Sequence, residues 1–227
     1  MKKFLRGVLV LVVLGVSANY AYAQHHVNVH TGVSLPMGDF ANDDINNEGA
    51  AGAATGFNLG GQYSYQFADF GLGVFAGIDI NYNPLTKKYR DKIFEYYQSE
   101  GLYGTEQDFY EYLNVPTTMG LHYYLKANES FGLLFNGGMA INLLQMTNYE
   151  VKYQNYTITT YFDPAYSIGY KLGGGIIIRE KFTLMVDYLN LGTIDIEGEI
   201  EAPGQENEKV SGKEKVSLLN IAAGYRF

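Results

Sequence analysis

The chain contains no cysteine and no tryptophan, and only 18% of its 227 residues are charged. An ordinary soluble domain carries about 25% charged residues. Without cysteine there can be no disulfide framework, no thiolate metal site and no Cys nucleophile. A formal net charge of −8 disfavours a basic nucleic-acid surface, so no nucleic acid is expected among the partners. No apolar run beyond the first residues reaches the length of a membrane-spanning helix. What the chain has instead is 27 Gly, 21 Tyr and 13 Phe, a composition too aromatic for disorder.

Lys2, Lys3 and Arg6 precede a short apolar run, Gly7 to Val16, and then Ala21-Tyr22-Ala23. This is the layout of a secretory signal peptide with an A-x-A site. A spanning helix needs roughly 20 apolar residues, more than this run supplies. Two regions are therefore expected: a signal peptide over 1–23, cleaved near Ala23, and one domain over 24–227.

That domain alternates. Eight period-2 segments cover 27–35, 57–65, 72–82, 113–125, 131–143, 168–178, 182–188 and 219–227. In the third, Leu72, Val74, Ala76, Ile78, Ile80 and Tyr82 alternate with Gly73, Phe75, Gly77, Asp79 and Asn81. One face is apolar and aromatic throughout. The other is Gly, Asn, Gln and Ser with an occasional charge, too sparsely charged for a water-exposed exterior. The pattern fits lipid outside and a polar interior. Lipid requires every backbone group to be paired, which closes the sheet. The links alternate short (66–71, 126–130, 179–181) and long (36–56, 83–112, 144–167, 189–218). The expected fold is all-β: a closed antiparallel eight-stranded transmembrane β-barrel with long extracellular loops and short periplasmic turns. Both termini lie on the periplasmic side, with Tyr63, Tyr65, Tyr123, Tyr124 and Tyr225 forming an aromatic girdle there.

Leu219-x-Ile221-x-Ala223-x-Tyr225-x-Phe227 resembles the C-terminal signal of Gram-negative outer-membrane barrels, which the barrel assembly machinery reads. Tyr112-Leu113-Asn114-Val115-Pro116, Gly32 to Phe40 and Asp187 to Gly192 resemble the Bacteroidetes outer-membrane β-barrel domain, often labelled the PorT-like family. The resemblance covers nearly all of the mature chain. It implies a cell outer-membrane location and the barrel assembly machinery as a partner. A secretion-linked role attaches to the family's name, and the resemblance does not transfer it.

On this register His30, Gln62, Asp79, His122, Lys171, Asp187 and Arg226 point inward. A lumen this narrow is filled by side chains, so these groups are expected to form a paired polar network. The bland reading is a structural plug; the other is a binding or proton-linked site. In the first long loop Asp44, Asn46 and Glu48 faintly resemble a calcium loop, but Thr55 stands where the bidentate Glu is needed. No metal or cofactor is expected. Leu85 to Glu100 reads as a short amphipathic helix that caps the barrel mouth or approaches lipopolysaccharide. The third and fourth loops read as two protruding hairpins. Small barrels that are enzymes place a general base, usually His, near the outer rim. The four histidines, His25, His26, His30 and His122, lie in no outer loop. No enzyme is expected.

The sequence thus points to a monomeric outer-membrane protein embedded in lipid and lipopolysaccharide. Its loops serve adhesion, binding of a ligand or of an extracellular or envelope protein, or envelope integrity. An accessory role in a transport or secretion machine and a lipid A-modifying enzyme are the alternatives.

Overall fold

Alternating sequence becomes strand wherever one face can be buried, and here that happens around a closed ring. A computed structural model describes residues 25–47, 49–67, 71–99, 105–154, 156–204 and 206–227. The signal-peptide reading lies outside them. The elements are β1 (His25–Pro36), a 3-10 turn (Gly38–Ala41), β2 (Gly56–Gln66), β3 (Leu72–Asn83), α1 (Lys87–Ser99) and β4 (Glu106–Asp108). They continue with β5 (Tyr112–Lys126), β6 (Phe131–Met146), β7 (Tyr149–Tyr153), β8 (Tyr156–Phe162), β9 (Ala165–Ile178), β10 (Phe182–Glu201) and β11 (Glu208–Arg226).

The order β11-β1-β2-β3-β5-β6-β9-β10 is closed by pairing of β10 with β11, giving an antiparallel ring through eight strands. The register is continuous: His30 lies opposite Gly60 on one side and Gly224 on the other. The short links and both strand termini share one end of the ring, called lower here. Among the described residues there are eleven strands, three more than the eight of the ring. The additional β8, β7 and β4 continue from the upper part of β10 as a side sheet, with Gly198 paired to Phe162. They are built from the third loop and from residues just before β5, where Tyr149, Val151 and Tyr153 carry the alternation onward.

The outer surface of the ring is apolar. Phe135 (52% exposed), Met139 (62%) and Ile168 (68%) all face outward. The inside is layered. Its lower and middle parts hold polar and charged groups, but its upper part is an apolar core of Phe40, Tyr112, Leu144, Leu189, Ile194 and Val216. This upper layer departs from the uniformly polar lumen expected. The reason is the first loop, which turns inward and carries Phe40, Ala51 and Ala53 into the ring.

Candidate functional site

All seven inward residues named from the sequence are buried: His30, Gln62, Asp79, His122, Lys171, Asp187 and Arg226. Four strands and a ladder of asparagines bring four of them together. Lys171 Nζ on β9 lies 3.0 Å from Asp187 on β10 and 3.9 Å from Asp79 on β3. His30 Nε2 on β1 lies 2.7 Å from the other oxygen of Asp79. Asn136 donates to Asp187 at 3.3 Å, and Asn58 donates to Asp79 at 3.2 Å. Asn58 and Asn220 both donate to Asn81, at 3.1 and 2.8 Å. Buried charges are tolerated only when paired and hydrogen-bonded, and this cluster meets that condition for Lys171, Asp79 and Asp187. Gly173 makes room for it: a Cβ there would fall 1.8 Å from Asp187 Oδ1.

Gln62, His122 and Arg226 are not joined to the cluster. Arg226 lies lower and sits 5.1 Å over the ring of Tyr124. Tyr124, assigned from the sequence to the outer girdle, therefore stacks inward on Arg226. The C-terminal pattern residues alternate outward along β11: Ile221, Ala223 and Phe227 are exposed, and Leu219 and Tyr225 are half-buried.

Above the charged cluster the ring is stoppered. Phe40 is fully buried and meets Tyr112 edge-on, with centroids 4.9 Å apart. The Tyr112 hydroxyl donates to the Ala51 carbonyl at 2.9 Å. The amphipathic helix forms as α1 and closes over this loop. Tyr89 donates to the Ala50 carbonyl at 3.1 Å, and Lys88 pairs with Asp43 at 2.7 Å. Of the two placements read from the sequence, contact with the mouth is the one seen among the described residues.

Described residues of the upper region line two cavities. One, about 310 Å³, is lined by Tyr97, Tyr149, Tyr153, Ile158 and Ile200 between α1 and the side sheet. The second, about 180 Å³, is formed by Tyr110, Met146, Phe162, Ile196, Val210 and Glu214 at the mouth of the ring. Burial raises the Glu214 carboxyl to about 7 and the Tyr110 hydroxyl well above its usual range. Sequence reading passed over Glu214 because it sits between Lys213 and Lys215 and looks like part of a solvated charge run. The available signal was parity: Glu214 occupies the same face of β11 as Val216 and Leu218, which are fully buried.

The architecture is similar to that of two solved structures. One is a major outer membrane protein from Thermus thermophilus, with 13% identity, a TM-score of 0.53, and 89% of this chain and 99% of that chain covered. The other is the outer membrane protein OprG from Pseudomonas aeruginosa, with 19% identity, a TM-score of 0.52, and 90% and 96% covered. The fold is that of an outer-membrane β-barrel. At these identities the likeness concerns fold. No protein-family model and no curated protein matches the chain, so the Bacteroidetes family resemblance stands on its motifs alone.

Proposed function

We propose that the chain is a sealed, non-catalytic outer-membrane barrel whose ring crosses the bilayer and whose upper region works outside the cell. That region, comprising α1, the side sheet and the tall β10–β11 hairpin, binds a ligand or partner. One observation carries the placement: greasy side chains such as Met139 and Ile168 face out while Lys171, Asp79 and Asp187 are buried within. In water that arrangement would expose a broad apolar surface, whereas in hydrocarbon it is the stable one. The polar cluster acts as a structural plug. Together with the Phe40 stopper, it leaves a filled interior rather than an aqueous pore. Export on a cleaved signal over 1–23, and delivery by the barrel assembly machinery reading Leu219 to Phe227, complete the reading. The absence of histidine from the outer loops supports a non-enzymatic role.

Two measurements test this. The chain has no cysteine, so a Lys213→Cys variant reports on its own site without background. The Lys213 side chain is 75% exposed on the upper hairpin. A membrane-impermeant maleimide should label it on intact cells. Protection until the envelope is opened would refute the orientation. In planar bilayers the purified protein should give no stable conductance steps, and steady ohmic openings would refute the sealed interior.

A further inference from the structure

Glu214 is an acid in an apolar, aromatic place. It stands opposite Ile194 in the β10–β11 register, on the inward face, and Ile194 is fully buried. Its Oε2 is buried without a hydrogen-bond partner. The neighbouring lysines on β11 are engaged elsewhere: Lys213 pairs with Asp195 at 3.3 Å, and Lys215 lies 3.7 Å from Asp39. Among the described residues no cationic side chain lies within ion-pair distance of Glu214. The titratable groups around it are the phenols of Tyr89, Tyr110 and Tyr112.

A carboxylate taken out of water without a cation or a donor is costly, so such a site favours either a proton or an outside positive charge. Here it adjoins a cavity of about 180 Å³ walled by Tyr110 and Phe162, whose rings stand 5.5 Å apart at a steep angle. Met146, Ile196 and Val210 complete an apolar lining. Ser211 and Gly212 at its edge are exposed, so the cavity opens to solvent. Aromatic faces attract cations, and they do so most strongly for weakly hydrated organic ammonium groups in partly dry pockets. A single carboxylate is too poor a donor set for a divalent metal, which takes several oxygen ligands.

We propose that this cavity at the barrel mouth binds a small organic ammonium ion, with Glu214 supplying the counter-charge and Tyr110 and Phe162 the aromatic walls. The proposal rests on the reading above, that the upper region binds a ligand or partner, and gives that ligand its chemistry. An alkylammonium group fits whether it comes from a free amine or from the lysine side chain of a partner.

The test uses the full mature chain refolded in a zwitterion-free detergent and measures binding by saturation-transfer NMR. Choline chloride is compared with 3,3-dimethylbutan-1-ol, which has the same shape without the charge. Nα-acetyl-lysine methylamide stands in for a partner's lysine. Choline or the lysine analogue should bind saturably, and the neutral alcohol at least tenfold more weakly. Glu214→Gln should weaken cation binding at least tenfold, and Tyr110→Leu severalfold. Preference for choline or for the lysine analogue identifies the source and supports the proposal either way. If neither cation binds, if the alcohol binds equally well, or if Glu214→Gln binds choline unchanged, the proposal fails and Glu214 is simply a half-buried acid. Such a failure leaves the maleimide and conductance results untouched. Failure of those would instead overturn the placement of the barrel.

Discussion

Removing the cation from the buried cluster is the sharpest test of how the interior is held. Lys171 is 1% exposed, and its ammonium serves both Asp187 at 3.0 Å and Asp79 at 3.9 Å. Lys171→Met keeps much of the side-chain volume and deletes the charge. Asp79 retains His30 at 2.7 Å and Asn58 at 3.2 Å. Asp187 is left with Asn136 at 3.3 Å. The cost therefore falls mainly on Asp187. Orphaning one member of a buried ion pair typically costs about 3–5 kcal/mol, whereas replacing both by apolar groups is often near neutral. Lys171→Met should thus lose about 3–5 kcal/mol. The double variant Lys171→Met/Asp187→Leu should recover at least about 2 kcal/mol of that loss, the remaining charge on Asp79 still having its own donors. Urea unfolding in lipid vesicles, followed by the mobility difference between folded and heated protein on a gel, measures both. A single variant within about 1 kcal/mol of the parent would refute the argument. So would a double variant no better than the single one, because the two side chains would then not be coupled.

The remaining predictions probe the other layers. Phe40→Ala empties a fully buried site and should cost about 3–5 kcal/mol of local stability, unseating the first loop. Trypsin should then cut after Lys88 and Arg90 severalfold faster, and an unchanged digestion pattern would count against the stopper. Met139→Arg places a charge on a residue 62% exposed at the outer surface. It should destabilise the protein by about 2–4 kcal/mol in vesicles if that surface meets hydrocarbon near the midplane, and equal stability would speak for an aqueous surface. Glu214 has its carboxyl raised by burial from 4.5 to about 7, so its stabilising protonated form is intact below pH 4.5 and is lost as the pH rises through 7. Glu214→Gln should therefore be more stable than the parent at pH 8, by on the order of 3 kcal/mol, and nearly equal at about pH 4. Parallel pH profiles of the two proteins would contradict this.

Much of the ring was legible because alternation is a local property. A row such as Leu72, Val74, Ala76 and Ile78 assigns faces without knowledge of the partner strand, and the alternating link lengths supply the topology. Face is not height, however. The sequence placed Asp79, Lys171, Asp187 and Arg226 on the inside but could not say that the first three meet and the fourth sits lower on Tyr124. That depends on the stagger between strands β3, β9 and β10, which no single segment encodes. The inward turn of the first loop is illegible for a different reason. Its acids dominate DFANDDINNEGAAG, while the residues that insert are Phe40, Ala51 and Ala53, one aromatic and two small side chains with no period. The asparagines were noted as polar fillers one strand at a time. Their role in tying Asp79 through Asn58 to Asn81, and Asp187 to Asn136, emerges only across the ring.

One residue shows how the two halves of the chain are reconciled. Along lower β10 the odd positions Thr183, Met185, Asp187, Leu189 and Leu191 are buried, and the even ones, Leu184 and Val186, face out. Higher up the parity is reversed, with Ile194 and Ile196 buried and Asp195 and Glu197 exposed. The switch is a bulge between Asn190 and Gly192, where Gly192 takes a φ of 82° and its N–H bonds to the Asn190 side chain at 3.1 Å. An added Cβ there would meet the Ile168 carbonyl at 2.6 Å. A bulge inserts one residue into one strand and so exchanges inside for outside beyond it. Without it, Ile194 and Ile196 would prolong the outward row of Leu184 and Val186, and Asp195 and Glu197 would point into the stoppered interior. With it, the strand turns apolar side chains outward below, and above it turns apolar side chains inward and charged ones outward. The first pattern suits hydrocarbon and the second suits water, so on the proposed placement the bulge at Gly192 marks where the barrel leaves the membrane.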